Sequence, residues 1–405
     1  MGKNICFISD HGDPLAPLGT SQAGGQNNYV KQLALALDAR GHSVDIFTHW
    51  NDAESPQYET FGNRCRVVRV GAGKKKFVDK TEMFHLLPDF FTEMKKLENF
   101  SDYDILHTHY WLSGLLGAKM SKEFTIPWIH TSHSLAIAKQ RATGIKQPQR
   151  LKAERMILSS ADAVIATTLD EKALIKATVK HPSPIRVLPI GVSPVFTPDT
   201  HSIHSPLTFT FAGRLEKTKG IYTLLRAFKL LSLSGLLEVP IRLRIIGGEP
   251  DQVDPHTKRA LSEELQMAVK GIENHVEFLG CLPPEQLASH FNSSLAVIVP
   301  SYYESFGMVA AEAQACGSPV IASNVGGLGD IVINKETGLQ VKPNNTSELA
   351  SAMGLLTKRP DIAAQLGKKA AQFAQQNFNW KVIAKKVDKL YEGVSHTVQK
   401  PYVSN

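Results

Sequence analysis

Glu304 and Glu312, separated by seven residues, are the side chains of this 405-residue sequence whose types and spacing most directly suggest ligand chemistry. The apolar run at residues 295–300 predicts a buried parallel strand, because it is short, rich in β-branched residues and ended by proline. The segment after Phe306 predicts a helix that ends near Gly317. Glu304 would then follow a strand at the edge where open α/β sheets bind ligands, with Glu312 about two turns into the next helix. Paired carboxylates there suit the hydroxyls of a ribose and a sugar. The spacing alone favours two solvated glutamates, and the glycines and basic residues upstream change that balance.

A basic loop precedes these glutamates in the chain. Arg214 and Lys219 lie between a predicted strand at residues 208–212 and a predicted helix at residues 221–231. A guanidinium and an ammonium at that edge can hold a diphosphate and neutralise a leaving nucleotide. A solvated basic loop is the alternative interpretation. The loop is not of the P-loop type, since it has no Gly-Lys-Ser/Thr sequence.

Glycines mark two further strand-to-helix loops. Gly24 and Gly25 precede the first predicted helix, where backbone N–H groups could approach a phosphate without hindrance from a Cβ atom. Gly326 and Gly327 open another helix near the predicted site, and either pair could equally be a tight turn. The first loop lacks the Gly-x-Gly-x-x-Gly pattern, and no acidic residue ends the second strand, which counts against a nicotinamide cofactor.

Four histidines end two predicted strands. His107 and His109 follow one strand, and His130 and His133 the next. Such clusters could hold a metal, but no carboxylate accompanies them, so hydrogen bonding to a polyol is the favoured interpretation. His133, at the outer end of its strand, is the best candidate for a ligand-facing group. We therefore expect neither a metal nor another cofactor.

Bulk composition narrows the class of protein. Hydrophobic residues make up 42% of the chain, enough for two globular domains, and no apolar run is long enough to span a bilayer. The four cysteines show no metal spacing and predict reduced thiols in a cytoplasmic protein. The net charge of +7 suits anionic lipids or phosphorylated small molecules. Lys74, Lys75 and Lys76 form the single basic run, which counts against nucleic acid.

The order of predicted elements indicates an α/β fold with doubly wound parallel sheets. Strands alternate with helices up to about residue 190, stop at a polar, proline-containing connector, and then begin again. This pattern predicts an N-terminal domain at residues 1–193, a second domain at residues 194–380, and a terminal helical segment at residues 381–405.

The ordered set of motifs resembles that of the large retaining glycosyltransferase family 4, and the resemblance covers nearly the whole chain. Its parts are Gly213-Arg214-Leu215-x3-Lys219-Gly220, Glu304-Ser305-Phe306-Gly307-x4-Glu312-Ala313, Gly317-x-Pro319-Val320-Ile321-Ala322 and Gly326-Gly327. The resemblance implies the GT-B architecture, in which two Rossmann-like domains face a cleft and the last helix crosses back to the first domain. It also implies a nucleotide-sugar donor and no metal.

Roles for individual residues follow from the same resemblance. Glu312 would hold the nucleotide ribose, and Glu304 would lie near the donor-sugar hydroxyls. His133 would face the reacting sugar. The remaining donor-binding residues would be Gly24, Gly25, Arg214, Lys219, Phe306 and Gly307. Family members of this kind carry out front-face substitution, in which the leaving phosphate accepts the acceptor proton.

Within the family, the first domain is most similar to N-acetylglucosaminyl inositol-phosphate synthases and sucrose-phosphate synthases. In the former subgroup the acceptor phosphate is bound at positions that correspond to Tyr110, Ser134, Arg150 and one of the lysines at 74–76, taken here as Lys76. Ser134 stands where a threonine is usual in that subgroup, and Gln26 departs from its pattern.

The sequence therefore predicts a cytoplasmic retaining hexosyltransferase that uses a nucleotide diphosphate sugar, UDP-linked by preference, and a small polar acceptor of the inositol-phosphate or sugar-phosphate type. Two alternatives remain open. One is a nucleotide-sugar epimerase of the same architecture, and the other is a transferase that acts on a lipid or polysaccharide at a membrane surface. A homodimer is compatible with the sequence and is not specified by it.

Overall fold

The protein forms two compact units in the computed structural model, which describes residues 2–16, 25–199, 206–235 and 239–398. The first unit comprises Met1–Gly191 together with Trp380–Asn405, and the second comprises Val192–Asn379. The chain thus leaves the first unit two residues before the boundary expected at residue 193, and it returns to that unit at Trp380.

The first unit is built on an eight-stranded sheet. Its strands, in chain order, are β1 Asn4–Ile8, β2 Ser43–His49, β3 Tyr58–Phe61, β4 Cys65–Val70, β5 Ile105–His109, β6 Trp128–Thr131, β7 Ala163–Ala166 and β8 Ile185–Val187. Their order in the sheet is β3-β4-β2-β1-β5-β6-β7-β8, and all neighbours are parallel except the edge pair β3 and β4. Because β1 lies between β2 and β5, the loops that follow β1, β5 and β6 share one edge of the sheet.

Within the described residues, six helices connect these strands. They are α1 Gly25–Asp38, α2 Lys80–Leu97, α3 Tyr110–Phe124, α4 Ala136–Thr143, α5 Pro148–Ser160 and α6 Leu169–Thr178. The start of α2 is fixed by Asp79, whose side chain accepts hydrogen bonds from the backbone N–H groups of Thr81 at 2.7 Å and Glu82 at 2.9 Å. The start of α5 is favoured by a proline in its first turn, where no backbone donor is lost.

The second unit is built on a six-stranded, fully parallel sheet. Its strands are β9 Leu207–Ala212, β10 Ile241–Ile246, β13 Val276–Phe278, β14 Ala296–Val299, β15 Val320–Ser323 and β16 Gly338–Val341, and a separate two-stranded ribbon is formed by β11 Val253–Asp254 and β12 Arg259–Ala260. The sheet order is β13-β10-β9-β14-β15-β16. Since β9 and β14 are neighbours, the loops after Ala212 and Val299 lie side by side.

The helices of the second unit cover both faces of that sheet, as expected for a doubly wound fold. They are α7 Ile221–Ser232, α8 Glu263–Val269, α9 Pro284–Asn292, α10 Met308–Ala315, α11 Leu328–Ile331, α12 Thr346–Lys358 and α13 Pro360–Asn377.

The last helix, α14 Trp380–Val398, packs against α1 and is part of the first unit. The Trp380 ring lies so close to Gly191 that a Cβ atom at that glycine would come within 2.3 Å of it. Asp388 pairs with Arg40, whose Nε atom lies 3.0 Å away, and with His42 at 3.2 Å. The fully buried Tyr391 bonds the ring of His107 at 2.7 Å. Along the described residues, no helix combines the length and apolar character needed to cross a membrane.

Candidate active site

An ion pair joins the two loops that follow β9 and β14. The Nζ atom of Lys219 lies 2.7 Å from Oε2 of Glu304, and the two side chains are 24% and 19% exposed. Ser301 adds a longer hydrogen bond to the same carboxylate oxygen at 3.5 Å. The structure thus brings together two predicted site residues that are 85 positions apart in the chain. Both remain open to solvent on one side, so a ligand can reach them.

Gly220, before α7, and Gly326, in the loop after β15, both allow a close approach to the segment around Pro300 and Glu304. Gly220 has a φ of 74°, and a Cβ atom there would lie 1.9 Å from the carbonyl oxygen of Pro300. Gly326 has a φ of 45°, and its Cβ would meet the carbonyl oxygen of Glu304 at 2.2 Å. Any other residue at either position would push the Lys219 loop or the Glu304 loop out of place.

Glu312 lies on α10 and is only half-buried as a residue, yet its carboxyl group is strongly desolvated. Burial raises the pKa of Glu312 to about 8. No hydrogen bond or ion pair to its carboxylate is found among the described residues, so nothing in the protein offsets this desolvation. A carboxyl group in that state is suited to accept hydrogen bonds from ligand hydroxyls.

The remaining donor-side residues have different environments. Arg214 is 74% exposed and forms an ion pair with Glu216 at 3.0 Å. This ion pair is separate from the one between Lys219 and Glu304. Phe306 is a core residue, 2% exposed and packed edge-on against Phe378, so its side chain cannot face a ligand. Gly307, with a φ of 107°, begins α10 without a side-chain cap, which leaves the first amide groups of that helix open to an anion.

The predicted phosphate-binding glycines of the first loop are only partly described. Gly24 lies outside the described residues. Gly25 opens α1, and a Cβ atom built there would meet nothing within 4 Å. The described residues therefore leave space beside Gly25.

Three of the four strand-end histidines, His107, His109 and His130, are buried, and His133 is half-buried. His107 bonds Tyr391 at 2.7 Å and Thr131 at 2.8 Å, and Nδ1 of His109 lies 3.1 Å from Nε2 of His133. Burial lowers the pKa of His133 to about 3, and the neighbouring His130 adds to the effect. The His133 ring is therefore neutral in the physiological range. No group of three or more potential metal ligands occurs within the described ranges.

A second cluster surrounds Tyr110 in the first unit. Tyr110 follows β5 with a φ of 77°, a strained conformation for a residue with a side chain, and it is 5% exposed. The ammonium of Lys80 lies 4.6 Å from the centre of its ring, and the guanidinium of Arg150 lies 4.8 Å away. Desolvation, followed by the charge of Arg150, lowers the pKa of Lys80. Two cations gathered on one ring favour an anion between them.

Arg150 is buried rather than part of a surface ion pair. Its Nε atom donates to Glu154 at 2.7 Å, and its Nη2 atom donates to the carbonyl and hydroxyl oxygens of Ser134 at 2.7 and 2.9 Å. Its Nη1 atom has a single long bond to Gln147 at 3.4 Å. Nη2 is therefore already engaged, and the guanidinium cannot offer both of its terminal nitrogens to a phosphate as it stands. Nη1 is the donor that remains.

The structure does not bring Lys76 to this cluster. Lys76 is exposed, and among the described residues it makes no contact with Tyr110, Ser134 or Arg150. Lys80 occupies the expected place of that lysine. The signal that could have found it is the pattern Asp79-x-x-Glu82, typical of a helix start, which places Lys80 in the first turn of α2.

Known proteins resemble this chain along both units. The model described as Glycosyl transferase 4-like domain matches residues 24–191, and that described as Glycosyl transferases group 1 matches residues 197–373. The D-inositol 3-phosphate glycosyltransferase of Corynebacterium jeikeium is 34% identical over 409 residues, which cover 96% of each chain. This chain belongs to the group 1 glycosyltransferases. The α/β fold class and the glycosyltransferase activity predicted from sequence are thereby confirmed.

Other group 1 glycosyltransferases and solved structures agree. The enzyme of the same name from Rhodococcus erythropolis is 35% identical, with 93% of this chain and 88% of that relative covered. The structure of sucrose-phosphate synthase from Thermosynechococcus elongatus superposes with a TM-score of 0.86 and 35% identity, covering 98% of this chain and all of that one. An Anabaena protein, HepE, solved with UDP and glucose, shares the fold at 17% identity, with a TM-score of 0.72 and coverage of 96% and 100%.

Proposed function

We propose that this glycosyltransferase moves a hexosyl group from a UDP-linked sugar to a hydroxyl of a small phosphorylated acceptor. The main support for a phosphorylated acceptor is the position of two cations over the ring of Tyr110. The Lys80 ammonium lies 4.6 Å and the Arg150 guanidinium 4.8 Å from the centre of that ring. The names of the relatives support it, since one acts on D-inositol 3-phosphate and the other makes sucrose phosphate. The cytoplasm is the proposed location, supported by four unpaired cysteines.

The donor is proposed to bind the second unit. Lys219, paired with Glu304 at 2.7 Å, would neutralise the diphosphate, and the uncapped start of α10 would add backbone donors. Arg214 is exposed and long enough to turn from Glu216 towards the same phosphates. Glu312 would accept hydrogen bonds from the ribose, and Glu304 from the sugar hydroxyls.

The proposed reaction retains the configuration of the sugar. The bond between the anomeric carbon and the diphosphate oxygen breaks, and the bond to the acceptor oxygen forms on the same face. The acceptor proton passes to the leaving phosphate oxygen, whose charge Lys219 and Arg214 stabilise. His133 has a pKa of about 3, so it would act as a neutral hydrogen-bonding group beside the sugar.

We also propose that the reaction needs no metal, since cationic side chains are available for the diphosphate. Activity in excess EDTA should stay within about twofold of the activity without EDTA. In a metal-dependent enzyme, removal of the metal would raise the activation free energy by several kcal/mol and nearly abolish activity. The measurement is the initial rate of nucleotide release after exhaustive chelation. Loss of activity with rescue by Mn²⁺ or Mg²⁺ would contradict metal independence.

The experiment that tests the function is a donor and acceptor panel. UDP-, GDP- and ADP-sugars are each incubated with D-inositol 3-phosphate and with hexose 6-phosphates, and the anomeric configuration of any product is read by NMR. Acceptor-dependent release of UDP with a retained configuration is the expected result. Turnover of the donor without acceptor would indicate an epimerase, and transfer only to lipid or polysaccharide acceptors would overturn the proposed acceptor class.

Nucleotide binding should release a proton from Glu312. The pKa of this carboxyl is raised to about 8, so the apoprotein holds the proton at pH 7, and ribose hydroxyls that donate to the carboxylate would lower the pKa. Without ligand, the folded protein holds this proton more tightly than the unfolded chain, in which the pKa of a glutamate is about 4.3. The free energy of unfolding therefore falls as the pH rises from that value towards the pKa of the folded state.

Calorimetry of UDP-glucose binding at pH 7, in buffers with different ionisation enthalpies, measures the released proton. Wild type should release a fraction of a proton at pH 7 and none at pH 9.5, and Glu312→Gln should release less at pH 7. Equal proton release by wild type and Glu312→Gln would remove Glu312 from the ribose site.

A further inference from the structure

His109, the last residue of β5, is fully buried and in hydrogen-bond contact with His133. Its Nδ1 atom lies 3.1 Å from Nε2 of His133. The family resemblance assigns a role to His133 and none to His109. A hydrogen bond between two imidazole rings makes the protonation of one depend on the other, so His109 bears directly on the group that is proposed to face the sugar.

The ring of His109 is held in place by packing. The ring of Phe7 packs edge-on against it, with 4.9 Å between ring centres, and the ring of His107 lies tilted against it at 4.3 Å. His107 is itself fixed, because Tyr391 of α14 and Thr131 occupy its two ring nitrogens at 2.7 and 2.8 Å. The Nδ1 atom of His109 therefore stays directed at its partner.

The surroundings of His109 determine which of its nitrogens carries the proton. Burial lowers the pKa of His109 well below its usual value, so the ring is neutral and carries a single proton. Its Nε2 atom is buried, and no hydrogen-bond partner for that atom is found among the described residues. A buried N–H without an acceptor is tolerated less often than an unused lone pair. The proton therefore belongs on Nδ1, from which it is donated to His133.

A donor at Nε2 fixes the tautomer of His133 as well. Because Nε2 of the neutral ring must accept this hydrogen bond, the proton of His133 lies on Nδ1. Within the described ranges, no hydrogen bond engages that nitrogen. His133 also has a φ of 59°, a strained conformation for a residue with a side chain, and the ring of Tyr29 packs edge-on against it at 4.8 Å. His133 thus presents an N–H donor in a fixed orientation.

We propose that His109 is a positioning residue of the transfer reaction, whose Nδ1–H group holds His133 in the tautomer that donates a hydrogen bond from Nδ1 to a hydroxyl oxygen of the donor sugar. The inference rests on the proposed function, in which His133 lies beside the reacting sugar. It adds the group that decides whether His133 donates or accepts. No proton leaves either ring, since the leaving phosphate takes the proton of the attacking hydroxyl.

The kinetic test compares wild type with His109→Phe, which keeps a flat ring against Phe7 and His107 but has no donor for His133. Its kcat/KM for UDP-glucose, or for the UDP-sugar that the panel selects, should fall about tenfold, as the loss of one oriented hydrogen bond predicts. The acceptor KM should stay within about twofold, because the cations at Tyr110 keep their places. A tenfold rise in the acceptor KM would show that His109 only supports the fold of the first unit.

A double-mutant cycle shows whether His109 acts through His133. In a His133→Ala background, His109→Phe should lower kcat/KM further by less than about twofold, because the group that it positions is already gone. The same tenfold loss in both backgrounds would mean that the two residues act independently, and it would overturn the inference.

Spectra of ¹⁵N-histidine-labelled protein test the tautomers without any turnover, with His109→Phe and His133→Ala used to assign the signals. Wild type at pH 7 should show both rings neutral and protonated on Nδ1. In His109→Phe, the ring of His133 should no longer hold that single tautomer. A proton on Nε2 of His133 in wild type would overturn the inference, as would an unchanged kcat/KM in folded His109→Phe.

Failure of the inference differs from failure of the proposed function. If wild type transfers sugar to a phosphorylated acceptor while His133 carries its proton on Nε2, the proposed function stands and the role of His109 is refuted. If no UDP-sugar supports transfer to any phosphorylated acceptor, the proposed function itself fails, and the inference with it.

Discussion

Lys219→Ala should lower kcat/KM for the donor by about 10²- to 10³-fold while the protein stays folded. The ammonium of Lys219 is held 2.7 Å from Glu304 at the edge of the second sheet, where the charge of the leaving diphosphate would develop. One preorganised donor to such a charge is typically worth about 3–4 kcal/mol. Steady-state kinetics with varied donor and a saturating acceptor measure the effect.

The matched control is Lys217→Ala, in the same short turn as Lys219 but exposed and without an ion pair among the described residues. It removes the same charge from the same loop and should leave kcat/KM within about threefold, because an exposed charge is well screened. Equal losses of kcat/KM in the two variants would show that only the total charge of the loop matters. Near-wild-type turnover in Lys219→Ala would show that Lys219 is not part of the site.

Removal of the Arg150 guanidinium should raise the acceptor KM by about 10- to 100-fold and leave donor binding unchanged. Its Nη1 atom makes only one long hydrogen bond, to Gln147 at 3.4 Å, and its guanidinium lies 4.8 Å from the centre of the Tyr110 ring. A hydrogen bond to a charged group contributes about 1.5–3 kcal/mol. The variant must leave the protein folded. Arg150→Ala alone would leave the buried Glu154 carboxylate without its partner and lower the free energy of unfolding by about 3–5 kcal/mol.

The informative variant is therefore the double substitution Arg150→Ala with Glu154→Gln, compared with Glu154→Gln alone. In wild type, the backbone N–H of Ala136 donates a hydrogen bond to the Glu154 carboxylate at 2.9 Å. Glutamine keeps a side-chain oxygen that can accept this hydrogen bond. Thermal unfolding confirms that both variants fold, and initial rates with varied acceptor give the KM values. An acceptor KM that is the same in both variants would show that Arg150 only supports the protein.

The sequence predicted that Lys219 and Glu304 would lie near one another because parallel β-strands place successive loops on one edge. Lys219 and Glu304 each follow a short apolar strand, and β9 and β14 are neighbours in the sheet, so the two side chains meet. The raised pKa of Glu312 could not be predicted in the same way. It depends on what surrounds the carboxyl group and on the lack of a partner, and neither is visible in a local pattern.

The acceptor side was predicted less completely, for physical reasons. The start of α2 at Lys80 brings that lysine, and not Lys76, to the ring of Tyr110. The buried state of Arg150 depends on Glu154 one turn later and on Ser134 from another loop.

Some elements without chemistry were also missed. The edge strand β3 is short and only half-buried, so its pattern lacks a clear apolar face. Helices α12 and α13 fall in a stretch that carries no ligand motif. Neither omission changes the placement of the candidate site.

The most direct test of the proposed function is the ratio of kcat/KM for a phosphorylated acceptor to that for the same acceptor without its phosphate, with one UDP-sugar as donor. D-inositol 3-phosphate against inositol, and a hexose 6-phosphate against the free hexose, are the natural pairs. The cations at Tyr110 predict a ratio of at least about 100 for the true acceptor, equivalent to about 2.7 kcal/mol of phosphate recognition. A ratio near one for every pair that reacts would contradict the account.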